Sequence, residues 1–257
     1  MGADEEPGSD IMTGSGSTLP DSTFPGGTLV SRLDVYGDAA PDGICGGSPH
    51  LHTVSTEAYI VISGHGALQS LSADGFRETP LEAGAIVWFT PGVIHRAVNH
   101  GELQAVVLMS NSGLPEAGDA VMTFPPEHLA DAQTYAETAA LREDPGHRAE
   151  RAARRRDLAV EGFLALKTAV EAGDSSALTA FYEAAGAIVR ERAQTWPDLV
   201  RRRPLATAEA SLAMAQAVAS GDLEHLLDAR VQQAVPAEAL GFGMCGRLRT
   251  YDVTDQA

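Results

Sequence analysis

The pattern of hydrophobic and polar residues changes once along this chain, near residue 118. Between Thr28 and about Asn111, short runs rich in Val, Ile, Leu and aromatic residues are separated by connections that contain Gly or Pro. The runs read TLVSRLDV, EAYIVIS, ALQSLS, AIVWF and LQAVVLMS. Strands at this density, with turn residues in nearly every connection, are typical of an antiparallel barrel or sandwich.

The second half of the chain has the period of a helix, about 3.6 residues. One apolar stripe follows the spacing i, i+3, i+4, i+7 and i+11: Leu178, Phe181, Tyr182, Ala185 and Val189. The polar residues 174–176 precede this stripe and supply an N-cap. Further helices are predicted at about 126–141, 147–172, 206–220 and 222–233.

These patterns divide the chain into four parts. Residues 1–25 are poor in apolar residues and carry five acids without a base, so we expect a disordered acidic tail. Residues 26–118 predict the β-barrel and residues 119–238 the helical region. The last part, residues 239–257, contains the extended-looking GFGMCGRLRTYDV and is expected to add a strand to the barrel. The fold class is therefore α+β.

Charge and composition exclude several functions. The formal net charge of −17 disfavours sequence-independent binding of nucleic acid and of anionic membranes. No apolar run approaches the roughly 18 residues that cross a bilayer, and the N-terminus lacks the features of a secretion signal, so a cytoplasmic location is expected. Cys45 and Cys245 are too few for a disulfide framework. We expect them as buried free thiols, although a bridge stays open if the terminal strand returns to the barrel.

The candidate chemistry lies in the segment GGSPHLHTVSTEAY. His50 and His52 alternate with Leu51 and therefore share one face of a strand, inside the barrel if Leu51 points out. Glu57 comes five residues after the second histidine, so TVST must bend and Glu57 must open the next strand beside the histidines. His95 follows a Pro-Gly turn in GAIVWFTPGVIHRAVN.

Three imidazoles and one carboxylate form a ligand set that suits a divalent transition metal. The set is too rich in nitrogen for Ca or Mg, which prefer oxygen ligands. The ligand set leaves Mn, Fe, Co, Ni, Cu and Zn open. Four protein ligands leave about two positions of an octahedron for substrate, which is the condition for a catalytic metal.

The two segments resemble the paired motifs of the cupin superfamily. The first motif is represented by His50, His52, Glu57 and Gly64, and the second by Gly84, Gly92, His95 and Asn99. Ile44 stands where the first motif begins with glycine, and Thr90 where the second has proline, but neither position is a ligand. The resemblance covers residues 28 to 115 and implies a small jelly-roll barrel with His50, His52, Glu57 and His95 converging on one metal.

Several residues between and within the motifs are candidates for a substrate pocket, with core packing as the alternative: Tyr59, Gln69, Trp88 and Phe89. Arg96 offers a fork that could hold a substrate carboxylate. Because it is adjacent in sequence to the inward His95, we expect Arg96 to point outward.

The resemblance implies a metal-dependent cupin enzyme, with Fe or Mn as the favoured metal, that acts on a small molecule as an oxygenase or an isomerase. With Glu57 as a ligand, a divalent ion keeps a net charge of +1, which favours an anionic chelating substrate. The alternative is a non-catalytic module in which the barrel binds a sugar or organic acid and the helices signal or form a homodimer.

Overall fold

The computed structural model describes residues 23–141 and 145–253. Its strands are β1 (Leu29–Val35), β2 (His50–His52), β3 (Glu57–Ser72), β4 (Gly75–Glu82), β5 (Ile86–Phe89), β6 (Ile94–Met109), β7 (Ala120–Met122), β8 (Gly241–Phe242) and β9 (Gly246–Thr250). The helices are α1 (Ala132–Ala139), α2 (Arg148–Glu171), α3 (Ser176–Val189), α4 (Trp196–Val200) and α5 (Ala206–Ser220).

Two strands of 16 residues, β3 and β6, build the barrel because each changes its pairing partners along its length. The first half of β3 pairs with β5 and with the second half of β6. Its second half pairs with β4 and with the first half of β6. Irregular register between Val61 and Gly66 separates the two halves of β3 and lets the strand bend. All pairs are antiparallel, which confirms the predicted jelly-roll barrel.

The interior of the barrel and its outer face form two hydrophobic clusters. The interior cluster includes Leu33, Val61, Leu81 and Val107, from four different strands. The outer cluster joins the sheet to the helices through residues such as Leu51, Leu71, Ile94, Phe163 and Phe181. Leu51 therefore points outward, as the alternation with its neighbouring histidines predicts.

Helix α2 lies closely against the chain that follows β7. A Cβ atom at Gly162 would lie 2.0 Å from the carbonyl oxygen of Thr123, so only glycine permits this approach. The hydroxyl of Thr123 donates to the carbonyl oxygen of Ala159 at 2.7 Å. In α3, the predicted stripe is buried except for Tyr182, which is partly buried. No helix in the described part of the chain is long and apolar enough to cross a bilayer.

Three boundaries differ from the sequence pattern. The strand Ala120–Met122 falls inside the segment 119–238 that was predicted to be helical, because it pairs with β2. The helix predicted at 222–233 is only a 3-10 helix, Glu224–Asp228, since it buries no residue against the rest of the protein. Residues 1–22 of the predicted tail lie outside the described residues. The last residue of the predicted tail, Pro25, begins a 3-10 turn, Pro25–Gly27.

The C-terminal segment returns to the barrel. Strand β9 pairs with β1 in antiparallel register, with Leu248 opposite Leu33, and β8 pairs with β9. The packing of this segment buries Cys245 in the interior cluster. Both cysteines are free.

Candidate metal centre

Four side chains converge inside the barrel. The ligand atoms of His50, His52, Glu57 and His95 all lie within 4.8 Å of one another, and all four residues are buried. Glu57 Oε2 is 3.2 Å from Nε2 of His52 and 3.2 Å from Nε2 of His95. These separations match the roughly 3.0–3.4 Å expected between neighbouring ligands of an ion with bonds of about 2.1 Å.

Strand register explains the convergence. His50 of β2 stands opposite His95 of β6 in the ladder. Residues 53–56 are not in a strand, and this break turns the chain so that Glu57 opens β3 beside the histidines. Gly92, in the turn before β6, has φ of +86°, a conformation that favours glycine, and its N–H donates to the carbonyl of His52. The turn that precedes His95 is thus held against the strand of His52.

Each imidazole is oriented by an acceptor on its other nitrogen. Nδ1 of His50 donates to the carbonyl oxygen of Ser48 at 2.9 Å, and Nδ1 of His95 donates to that of Val93 at 3.1 Å. Nδ1 of His52 donates to Asp119 Oδ1 at 2.8 Å. Since these oxygens only accept, each Nδ1 carries a proton, and the Nε2 lone pair of each neutral ring faces the common centre. Partners of this kind fix the tautomer of histidines that ligate metals.

Asp119 was not predicted from the sequence. It is fully buried, and its second oxygen, Oδ2, accepts the backbone N–H of Ser55 at 2.9 Å. It therefore holds the bend between β2 and β3 as well as the ring of His52. Asp119 lies 67 residues from His52, and a single acid in a turn carries no sequence signal of this contact.

The charges of the centre are strongly coupled. Burial opposes a charged His52, but the hydrogen bond to Asp119 and the adjacent Glu57 carboxylate outweigh it and raise the pKa of His52 to about 9. Burial opposes a charged Glu57 too, yet the close approach of His52 and His95 holds the pKa of this carboxyl well below its usual range. Burial, together with the neighbouring histidines, lowers the pKa of His50 well below its usual value. The centre thus contains a carboxylate and at least one neutral imidazole, which are the forms that bind metals.

Two of the converging atoms are unsatisfied. Glu57 Oε2 and His95 Nε2 are buried and have no hydrogen-bond partner of good geometry among the described residues. Buried polar atoms nearly always have a hydrogen-bond partner, so two unpaired atoms at this point require an explanation. A cation at the centre would satisfy both atoms, and the donor set therefore fits a transition-metal ion.

The pocket candidates have different positions. Tyr59 is buried in the interior cluster, where its hydroxyl donates to Cys245 Sγ at 3.4 Å. Phe89 lies against the centre, with its ring 4.1 Å from that of His95. Trp88 is 69% exposed on the outside of the barrel, because it alternates with the inward Phe89, so the prediction of a pocket position was wrong.

Gln69 and Arg96 are opposite each other in the register of β3 and β6 and face away from the centre. Gln69 therefore does not line the interior, and its amide donates to Glu78 at 2.9 Å. Arg96 points outward as expected, but it is completely buried beneath the loop before β2. It pairs with Asp42 at 2.5 Å and donates to the carbonyl of Ile44, so it is not placed to hold a substrate.

The comparisons with known proteins agree with this architecture. Residues 39–111 match the family model described as a cupin domain. This part of the chain is therefore a cupin domain, a jelly-roll barrel to which a helical region is added. No significant match was found among curated proteins.

Solved structures show more distant similarities. Pac13 from Streptomyces, described as a unique nucleoside dehydratase, is 18% identical, with a TM-score of 0.28 over 37% of this chain and 66% of its own. WlaRA from Campylobacter jejuni, a TDP-fucose-3,4-ketoisomerase, is 8% identical, with a TM-score of 0.30 over 36% and 64%. An uncharacterised Klebsiella pneumoniae protein with a double-stranded β-helix domain is 24% identical, with a TM-score of 0.23 over 32% and 62%. The alignments thus span less than two thirds of each of these proteins.

Proposed function

We propose that the barrel binds one divalent transition metal, with Fe or Mn favoured, through His50, His52, Glu57 and His95. On this proposal the protein is a metal-dependent enzyme that acts on a small molecule as an oxygenase or isomerase. The observation that carries the proposal is the convergence of four buried ligand atoms, of which Glu57 Oε2 and His95 Nε2 have no hydrogen-bond partner of good geometry among the described residues.

The surroundings of the centre support binding of metal over a purely structural cluster. Each Nδ1 donates to an oxygen, so each neutral ring presents its Nε2 lone pair to the centre, and metal binding displaces any proton on Nε2. Phe89 and the apolar interior exclude water from one side of the centre, which strengthens electrostatic interactions there. When bound, such a metal would supply Lewis-acid or redox chemistry to substrate oxygens.

The metal content of the purified protein tests the proposal directly. We expect about one metal per chain by elemental analysis of protein that is purified without added metal. His52→Ala should reduce this content strongly, because it removes one ligand, whereas His100→Ala, at an exposed histidine outside the centre, should not change it. Equal metal content in the two variants would refute the assignment.

A binding module without catalysis is the second candidate, and the helical region favours it. Helix α5 buries no residue, and nine large apolar side chains between residues 205 and 235 are exposed: Leu205, Leu212, Met214, Val218, Leu223, Leu226, Leu227, Val231 and Val235. Exposed apolar surface of this kind is typical of an interaction site. Such a site would suit a barrel that senses a ligand and signals through its helices.

Oxygen consumption distinguishes an oxygenase from a binding module. The iron-loaded protein would be supplied with a panel of small chelating acids and sugars, and isomerised products would be sought by chromatography. Turnover that is lost in His50→Ala would support the enzyme. Binding with neither oxygen uptake nor a new product would favour the module.

A further inference from the structure

One rung of the antiparallel ladder connects the metal centre to the edge of the sheet. The rung is formed by one residue from each of four neighbouring strands: Arg77 of β4, Ser70 of β3, His95 of β6 and His50 of β2. Residues that are directly opposite in a ladder point to the same face of the sheet. Because the two histidines point into the barrel, the side chains of the other two members also face the interior.

The neighbours of Arg77 confirm this direction. Phe76 packs on the outer face, where its ring is 6.3 Å from that of Phe163 in α2. Leu81, four residues further along β4, is buried in the interior cluster. Strand alternation then places Arg77 on the interior side with Leu81 and opposite to Phe76.

Burial decreases along the rung from the centre to the edge. His95 is fully buried, Ser70 is partly buried and Arg77 is exposed. Strand β4 pairs only with β3, so it is an edge of the sheet. Arg77 therefore lies where the inward face of the sheet meets solvent.

Arg77 is also a distinctive charge. It is the only lysine or arginine at an inward-facing position of the described strands β1 to β6, and it has no ion-pair partner among the described residues. Two steps of the ladder separate its backbone from that of His95, which corresponds to about 10 Å between Cα atoms. A small molecule at the centre would thus lie within reach of the guanidinium, whose planar fork matches carboxylate and phosphate oxygens.

We propose that Arg77 binds the oxyanion of an anionic substrate, a carboxylate or phosphate, whose other end reaches the metal centre. This inference rests on the proposed function, because it assumes a metal held by the four ligands. The sequence alone offers Arg96 as the residue that holds a substrate carboxylate, and this inference assigns that role to Arg77 instead. A positive charge at this position also explains how a chain of net charge −17 admits an anion to its interior.

Binding of simple anions to the manganese-loaded protein tests this inference without any assay of turnover. Oxalate and inorganic phosphate serve as probes, and their dissociation constants are measured by calorimetry. Arg77→Ala should weaken binding of at least one probe by about 10- to 100-fold, because it removes a charge-assisted hydrogen bond. Arg77→Lys should give an intermediate loss, and Arg154→Ala, at an exposed arginine of α2, should bind as the wild type does. Manganese content and thermal midpoint are measured for each variant and should not change.

The possible failures are distinguishable. Metal-loaded wild-type protein that binds neither probe, or an Arg77→Ala variant with wild-type affinity, overturns the role of Arg77 while the metal site stands. A wild-type protein that takes up no manganese overturns the proposed function and this inference with it. A loss for oxalate alone identifies a carboxylate as the preferred group, and a loss for phosphate alone identifies a phosphate.

Discussion

At the scale of single residues, the centre divides into a part that the sequence predicts and a part that it does not. His50, His52 and Glu57 are close in sequence, and the period of a strand, with a bend at residues 53–56, is enough to place them together. Asp119 is brought to His52 only by the pairing of β7 with β2, a short contact without a sequence pattern. The same reason explains why Arg77 is not visible in the sequence, since its position depends on register across three strands.

Asp119→Asn should weaken metal binding by about 10- to 100-fold, the usual effect of removing an acceptor behind a ligating histidine. An asparagine can still accept from Nδ1 of His52, but it no longer carries the charge that makes the ring a stronger base and therefore a stronger ligand. Titration with Mn(II) or Zn(II) against a competing chelator measures the change. Asp74→Asn, in the exposed turn between β3 and β4, is the matched control. Equal affinities in the two variants would show that Asp119 serves only the fold.

The two thiols should differ in reactivity. Cys245 is buried, and burial raises its pKa to about 11, whereas Cys45 is partly exposed. Since the thiolate is the reactive form, an aromatic disulfide reagent at pH 8 should label Cys45 in the folded protein and Cys245 only after denaturation. The variant Cys45→Ser isolates Cys245 and should show almost no labelling under native conditions. Rapid labelling of that variant would contradict the burial of Cys245.

At the scale of elements, the sequence predicts those strands and helices whose apolar pattern matches their burial. The stripe of α3 is an example, because Phe181 and Ala185 recur at helical spacing and contact the outer cluster. The segment 222–233 has enough leucines for a helix but contacts too little of the protein to be held as one, and so only a 3-10 helix forms. Contacts between elements, such as that of α2 with the chain after β7, depend on single small residues that carry no period.

Gly162→Ala should destabilise the protein by roughly 1–3 kcal/mol, the cost of forcing a methyl group into a packed interface. The new Cβ would overlap the carbonyl oxygen of Thr123 and push α2 away from the barrel. Gly186→Ala is the control, since its Cβ in α3 would meet no atom within 4 Å and should stabilise by roughly 0.5–1 kcal/mol. Denaturant unfolding measures both changes. Equal stabilisation of the two variants would show that α2 does not approach the barrel closely.

At the scale of the whole molecule, the outer cluster makes the barrel and the first helices one hydrophobic unit. Leu51 lies between His50 and His52 and packs into the same cluster as Trp196. A residue of the metal-binding strand is therefore part of the core that holds α2, α3 and α4 in place. Composition and period predict two kinds of structure in this chain, but they do not show that one core joins them.

Metal bound in the barrel should consequently stabilise the helices as well. Trp88 and Trp196 are the two tryptophans of the chain. In the variant Trp88→Phe, fluorescence therefore comes from Trp196, which is buried in the outer cluster. Metal at 100 times its dissociation constant stabilises a folded state by about 2.7 kcal/mol, and a joined core transmits all of this to the transition that Trp196 detects. Two denaturation midpoints are measured, one from the fluorescence of Trp196 and one from the labelling of the barrel thiol Cys245. We expect both midpoints to rise on addition of metal. The variant His52→Ala should abolish both shifts. A rise that is confined to Cys245 would show that the helical region unfolds independently, because a separate core gains nothing from a ligand bound elsewhere.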